Sequence, residues 1–169
     1  DHGEMLGDHH MSQKNLFFEG SAHVPLLIMP PQGRSLPHNI SVEAPTDLVD
    51  IYPTILAMAG LSSPVSVSGK NLLEPVPMDR MFFGNSLNKN FCVMEEKVKL
   101  VYSAVGDHVL LFDLNTDPME QHNLAEDPDW QERKAKLWKL LLEHTAQYTP
   151  EALDENGQFL TYEAPRFPG

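Results

Sequence analysis

Between residues 80 and 114, four short segments rich in Val, Phe, Leu and Tyr follow one another: Arg80 to Phe83, Phe91 to Met94, Lys97 to Ser103 and His108 to Leu114. Turn residues such as Asn88-Lys89-Asn90 and Gly106-Asp107 separate them. Segments this short and this closely punctuated pair most simply through local hairpins, so the pattern predicts an antiparallel meander. Asp127-Pro128 then supplies an N-cap with proline at the first helical position, and Trp130, Lys134, Leu137, Trp138, Leu141 and Thr145 follow along one stripe. That helix is expected to cover one face of the meander. From Gln147 to Gly169, Pro150, Pro165 and Pro168 stand among polar residues, and no regular element is predicted.

The first half is organised differently. Val24-Pro25-Leu26-Leu27-Ile28-Met29 is an apolar run without polar alternation, closed by Pro30-Pro31-Gln32-Gly33. Such a run suits a strand buried on both faces of a helix-covered parallel sheet, with a core helix as the alternative that periodicity leaves open. Arg34 to Pro45 reads as loop. Asp47 to Ala59 carries Leu48, Ile51, Tyr52, Ile55 and Ala59 at helical spacing, with Gly60 where a C-terminal cap belongs. With Asp50 as N-cap, Pro53 is only the third helical residue, where its missing N–H costs nothing. Ser62 to Pro77, rich in Ser, Pro and Gly, reads as a connection between two lobes. The expected domains are residues 1–77, residues 78–146 and an irregular tail over 147–169.

Charge narrows the partners. Twenty-four acidic against twelve basic residues give a net charge of −12, which repels a nucleic-acid backbone and an anionic membrane surface alike. No nucleic-acid partner is expected. The longest apolar runs fall far short of the ~20 residues that a helix needs to span a bilayer, so no membrane span is expected either. A single cysteine, Cys92, excludes an internal disulfide framework and a multi-cysteine zinc site.

Chemistry-bearing side chains are concentrated in residues 1–23. Asp1 and His2 put a carboxylate oxygen and an imidazole nitrogen on adjacent residues, and Gly3 lets the backbone turn closely around an ion or ligand. Two ligands do not make a metal site, and a strand-end turn with exposed polar residues is the competing reading. His9, His10 and Lys14 add candidate proton donors and a cation. Such a group can grip an anion and protonate a leaving group, against the plain alternative of a solvated loop. Chain termini are usually poorly ordered unless tied down, so a functional cluster at residues 1 and 2 reads as part of a longer chain.

Order and spacing then carry a resemblance. Asp1-His2-Gly3-Glu4, Leu6-Gly7-Asp8-His9, Lys14, Phe18-Glu19-Gly20 and His23-Val24-Pro25-Leu26 resemble the late catalytic segment of the sulfatases in the alkaline phosphatase superfamily. Asp50-Ile51-Tyr52-Pro53-Thr54-Ile55-Leu56 with Ala59-Gly60 is similar to the family's helix after the core strand. Leu111-Phe112-Asp113-Leu114 with Asp117-Pro118, Glu120 and Asn123-Leu124-Ala125 resembles its C-terminal subdomain signature. The implied fold is α/β: the C-terminal portion of an alkaline-phosphatase-like sulfatase fold, followed by a small α+β subdomain of a four-stranded antiparallel sheet with a packed helix.

The resemblance implies hydrolysis of a sulfate ester by a formylglycine formed in a Cys/Ser-x-Pro/Ala-x-Arg motif. That motif is absent here, as is the family's first pair of metal-binding aspartates. Cys92 is followed by Val93-Met94-Glu95-Glu96 and is read as a buried strand cysteine. By carry-over, Asp1 is a metal ligand, His2 occupies the neighbouring ligand position, Lys14 contacts the sulfate, and His9 lies at the substrate end with His10 beside it; His23 has no settled role. Calcium is the favoured ion, but imidazole is an unusual calcium ligand, so manganese, zinc or a His2 that merely sits beside the ion stay open. The implied partners are a sulfate ester, a sulfated carbohydrate among the options, and the N-terminal part of the same protein. Family habit favours an extracytoplasmic location. Two other readings compete: a phosphonate monoester or phosphodiester hydrolase of the same superfamily, and a non-enzymatic binding module.

Overall fold

Phe82–Ser86 (β1), Asn90–Glu95 (β2), Val98–Ser103 (β3) and His108–Asp113 (β4) form one sheet in the order β1-β2-β3-β4, the predicted meander. The computed structural model describes residues 1–14, 16–29 and 39–164. The pairing of β2 with β3 sets Phe91 opposite Tyr102 and Val93 opposite Leu100, and Leu100 lies opposite Leu111 of β4. Alternation then sends Phe91, Val93, Leu100, Tyr102 and Leu111 to one face, and Cys92, Lys99, Val101, Leu110 and Phe112 to the other. The turn from β2 to β3 is made by Glu96 and Lys97, both left-handed at φ 51° and 63°. Neither is the Gly or Asn that such a turn favours. Arg133 braces it, donating to the Glu95 carbonyl at 2.9 Å and pairing with both the Glu95 and Glu96 carboxylates.

The first face is covered by Gln131–Tyr148 (α3). A 3-10 turn, Pro128–Trp130, leads into it, and the Asp127 side chain accepts from the Asp129 amide as the sequence anticipates. Leu137, Leu141 and Thr145 of the predicted stripe are buried. The tail differs from its expectation: Pro150–Ala152 forms a 3-10 turn, and Leu153 pairs with Phe159 and Val105 with Tyr162 in isolated bridges. Phe159 lies inside the core, its ring 4.6 Å from those of Phe91 and Tyr102 and 5.5 Å from Trp138. Local polarity hides this, because a single aromatic residue supplies the burial. Pro165 and Pro168 lie outside the described residues.

The contacts divide the chain into two units. Residues 2–24 join 83–169 in one, and residues 25–82 with Asp1 form the other. In the second of these, Ile51–Ala59 (α2) begins after Asp50, so Pro53 is the third helical residue, and Gly60 closes it in the left-handed conformation at φ 74°. The Gly60 amide donates to the Ala57 carbonyl and the Leu61 amide to that of Leu56, a glycine-capped C-terminus. Asp50 itself does not cap with its side chain. Fully buried, its carboxylate takes Arg80 at 2.5 and 2.9 Å, the Lys70 amide at 2.7 Å and the Asp47 amide at 2.8 Å. Burial alone would raise the Asp50 carboxyl, but Arg80 and the two amides outweigh it and hold it below its ordinary value. The Thr54 hydroxyl accepts from the Leu72 amide at 2.9 Å. Residues 62–77 are therefore more than the connection that their composition suggests: they fold back on the start of α2.

One expectation fails here. No strand forms over Val24–Met29, where Leu27 is 87% and Met29 89% exposed. A strand buried on both faces needs neighbouring strands and covering helices, and the described residues of this unit contain a single nine-residue α-helix and no strand until Phe82. The closing Pro30 to Gly33 and most of the Arg34 to Pro45 loop lie outside the described residues. The predicted helix is present, and of its apolar positions Tyr52 and Ile55, with Leu48 of the 3-10 turn Leu48–Asp50 before it, are about half exposed, while Asp50 and Thr54 are buried.

Asp50→Asn is expected to destabilise this unit by about 3 kcal/mol, since it leaves the Arg80 guanidinium without its countercharge. Hydrogen exchange at the Lys70 and Leu72 amides checks this, and unchanged protection there contradicts it. Because the folded-state value is depressed, the Asp50 contribution is present above the ordinary carboxylate range and is lost as pH falls through the folded value. In the other unit, Phe159→Ala is expected to cost about 3–5 kcal/mol in urea unfolding, the range for emptying a buried aromatic site. A truly irregular tail would give a change near zero.

Candidate functional site

The described part of residues 2–24 meets the second face of the sheet through Met5, Leu16 and Phe18. Met5 and Phe18 are buried with Phe112 of β4 in a small apolar cluster that Leu16, Leu110 and Leu114 border. A segment rich in charged and polar residues is thus held down by two large apolar side chains. The described part of this segment is built from two local folds. In the first, the Met5 amide donates to the Gln13 carbonyl at 3.0 Å and the Gly7 amide to that of Met11 at 2.8 Å, while the Glu4 carboxylate accepts from the Gln13 amide. This closes a loop whose tip is the 3-10 turn Asp8–His10. In the second, Glu19–Ala22 (α1) makes one helical turn.

Gly3 joins the two. Its amide donates to the Ser21 carbonyl at 2.9 Å, and a Cβ built on it would lie 2.1 Å from the Gly20 carbonyl oxygen. The sequence suggests for this glycine a close turn around an ion or ligand. Its close approach is instead to the backbone of α1, which no other residue allows.

His2 and Lys14 come together. The His2 Nδ1 lies 2.7 Å from the Gly3 carbonyl, an acceptor, so Nδ1 carries the hydrogen and Nε2 accepts from the Lys14 ammonium. Both side chains are exposed. Asp1 is exposed beside His2 in the chain. His9 stacks on Phe18, ring centroids 4.1 Å apart at 15°, and His9 and His10 both have left-handed backbones. His23 pairs through Nδ1 with the Glu19 carboxylate at 2.8 Å. Cys92 is fully buried on β2, its thiol pushed up to about 12 by burial, which suits a packing role and not a nucleophile.

Beneath α1, Glu19 and Glu120, which both stand in the motifs that carry the resemblance, meet a lysine that the sequence does not single out. Lys99 of β3 is 2% exposed, and its Nζ lies 2.6 Å from Glu19 Oε1 and 2.6 Å from Glu120 Oε1. Burial opposes the charge, but the Glu19 and Glu120 carboxylates outweigh it and hold Lys99 above its ordinary value. Glu120 is equally buried, and its Oε2 accepts from the Glu19 amide at 2.7 Å. The available signal was a lysine in the middle of an otherwise apolar strand.

Among the described residues, no group of three or more His, Cys, Asp or Glu side chains is placed to hold a metal ion. Asp1 and His2 offer two donors. Their chemistry fits a divalent ion: a hard carboxylate oxygen, and an imidazole whose Nδ1–H is fixed on a backbone carbonyl, so that Nε2 is the ligating nitrogen once the Lys14 ammonium releases its lone pair. The remaining ligands would come from elsewhere. No helix among the described residues is long and apolar enough to cross a membrane.

Comparison with known proteins identifies the family. Residues 7–147 match the family described as N-sulphoglucosamine sulphohydrolase, C-terminal. The chain is 36% identical over 166 residues to a choline-sulfatase of Rhizobium meliloti, covering 91% of this chain and 31% of that protein. It is 35% identical over 144 residues to arylsulfatase K of Bos taurus, covering 74% and 26%. Among solved structures, the phosphonate monoester hydrolase of Agrobacterium radiobacter superposes with a TM-score of 0.64 at 31% identity, over 92% of this chain and 36% of that one. The chain thus spans about a quarter to a third of the length of these relatives. It belongs to the N-sulphoglucosamine sulphohydrolase C-terminal family and is the C-terminal region of a sulfatase of the alkaline phosphatase superfamily.

Proposed function

We propose that this chain carries the metal-holding and sulfate-gripping end of an enzyme that hydrolyses sulfate esters, sulfated carbohydrates among them. The observation that carries the reading is the contact of Lys14 with His2, which sets an anion-binding ammonium beside a metal-capable nitrogen. The sulfatase names of the relatives at 35–36% identity support it. The nucleophile, a formylglycine by family resemblance, belongs to the part of the protein that this chain does not span.

In this reading Asp1 and His2 hold a divalent ion, with calcium favoured and manganese or zinc as alternatives. When bound, that ion supplies positive charge at the nonbridging sulfate oxygens. Lys14 neutralises further charge on the same oxygens as it builds up. His9, its ring steadied on Phe18, protonates the departing alcohol, and His10 lines the substrate side. With a net charge of −12 the chain draws no anion from a distance, so affinity rests on this local cluster. In this reading residues 1–77 are the end of the catalytic domain and 78–146 the C-terminal subdomain, a division by sequence that differs from the division by contacts, in which residues 2–24 group with 83–169. An extracytoplasmic location fits the family.

A second reading is a phosphonate monoester hydrolase, favoured by the 31% identity to the Agrobacterium radiobacter enzyme. Lys14 and a divalent ion serve a phosphoryl oxygen as well as a sulfuryl one. Comparing kcat/KM of the full-length protein on an aryl sulfate and on an aryl phosphonate monoester separates the two.

The purified 169-residue chain is expected to show no multiple turnover on an aryl sulfate, and sustained hydrolysis by it refutes the division of labour proposed here. In the full-length enzyme, Lys14→Ala is expected to lower kcat/KM by about 10²–10³, the cost of removing one group aimed at developing charge. An unchanged value removes Lys14 from the site.

A further inference from the structure

We propose that Lys99 and Glu120 are positioning residues for the His2 end of the site, acting through Glu19 and α1. The inference rests on the reading of Asp1 and His2 as metal ligands. Its basis is a chain of contacts within one unit. The Lys99 ammonium lies 2.6 Å from each of the Glu19 and Glu120 carboxylates, and Glu120 reaches past it to the Glu19 amide at 2.7 Å. Both backbone and side chain of the first residue of α1 are therefore held from the sheet. At the other end of α1, the Ser21 carbonyl takes the Gly3 amide at 2.9 Å, and the Gly3 carbonyl in turn takes His2 Nδ1 at 2.7 Å. The imidazole that faces Lys14 is thus oriented from a strand about a hundred residues away in sequence.

Stability alone does not call for this group. A four-residue helical turn is too short to hold itself, so its place is set by what it is tied to. An apolar side chain at position 99 could pack beneath the sheet as Val101 does, since a buried ion pair is commonly matched or bettered by apolar residues of similar volume. An ion triad instead gives direction: Lys99 and Glu120 fix α1 along two different bonds of one residue. Partners that orient a metal ligand from behind affect ion affinity even though they never touch the ion.

The test is calorimetric titration of the full-length, metal-stripped protein with Ca2+ and with Mn2+, taking the ion that the parent binds more tightly. Lys99→Met is expected to weaken ion binding by about 10–100-fold at a temperature where its circular dichroism matches the parent, the usual effect of losing such a partner. Lys99→Arg, which keeps the charge, recovers most of that affinity. Val101→Ala, a cavity on the same buried face, lowers the melting temperature and leaves affinity unchanged. Parent-like ion binding by folded Lys99→Met overturns the inference, and so does an equal loss in Val101→Ala. Should Lys99→Met not fold, Glu120→Gln, which removes charge with little change of shape, is judged by the same criterion. An Asp1→Ala, His2→Ala double variant that binds the ion as the parent does overturns the underlying ligand assignment. That failure shows whatever residue 99 is, so the two are told apart.

Discussion

An ammonium group enclosed beneath a β-sheet, with carboxylates at 2.6 Å on two sides, is the contact on which the placement of residues 2–24 depends. Away from water each of these charges is costly alone and tolerable only together. Lys99, Glu19 and Glu120 come from a strand, a helical turn and a loop that are far apart in sequence, so the triad forms only when the three are brought together. The apolar cluster of Met5, Phe18 and Phe112 brings the segment to the sheet, and the ions decide where along it the segment stops. A non-directional attraction and a directional one divide the task.

The same division recurs around Asp50. Its carboxylate gathers a guanidinium and two backbone amides from residues 47 to 80, giving an otherwise sparsely structured unit a fixed centre. The price is that Asp50 and Thr54 take the inward positions, while Tyr52 and Ile55 of the helix and Leu48 of the turn before it are exposed. Inward polarity and outward apolarity invert the usual rule for a surface helix. The inversion fits a piece of a larger sulfatase fold, of which this chain spans about a third.

What was legible in the sequence was what depends on near neighbours. The hairpin spacing of the four strands, the Asp127-Pro128 start of α3, its Leu137 and Leu141 stripe, and the Gly60 cap each involve residues within one or two turns of one another. Phe159 was not legible, because its partners Phe91, Tyr102 and Trp138 are remote and its own surroundings are polar. Val24–Met29 misled because an apolar run says that burial is wanted without saying what provides it. In the site, Asp1, His2, His9, His10 and Lys14 were singled out by residue type and by resemblance, which names groups but not what steadies them. Lys99 escaped notice for the opposite reason: nothing beside it in sequence looks functional. Gly3 was assigned to a ligand because a glycine's neighbour can be read only when the fold is known.

The loop that ends at Asp8–His10 is pinched at its base, where Met5 meets Gln13 and Glu4 holds the same amide. A pinched base separates two kinds of evolutionary change. Residues inserted or deleted at the tip alter how far His9 and His10 reach, while the backbone at Gly3 stays where α1 keeps it. The histidine-bearing tip can therefore change its reach without disturbing the backbone at Gly3, a modularity written into a stretch of fewer than twenty residues.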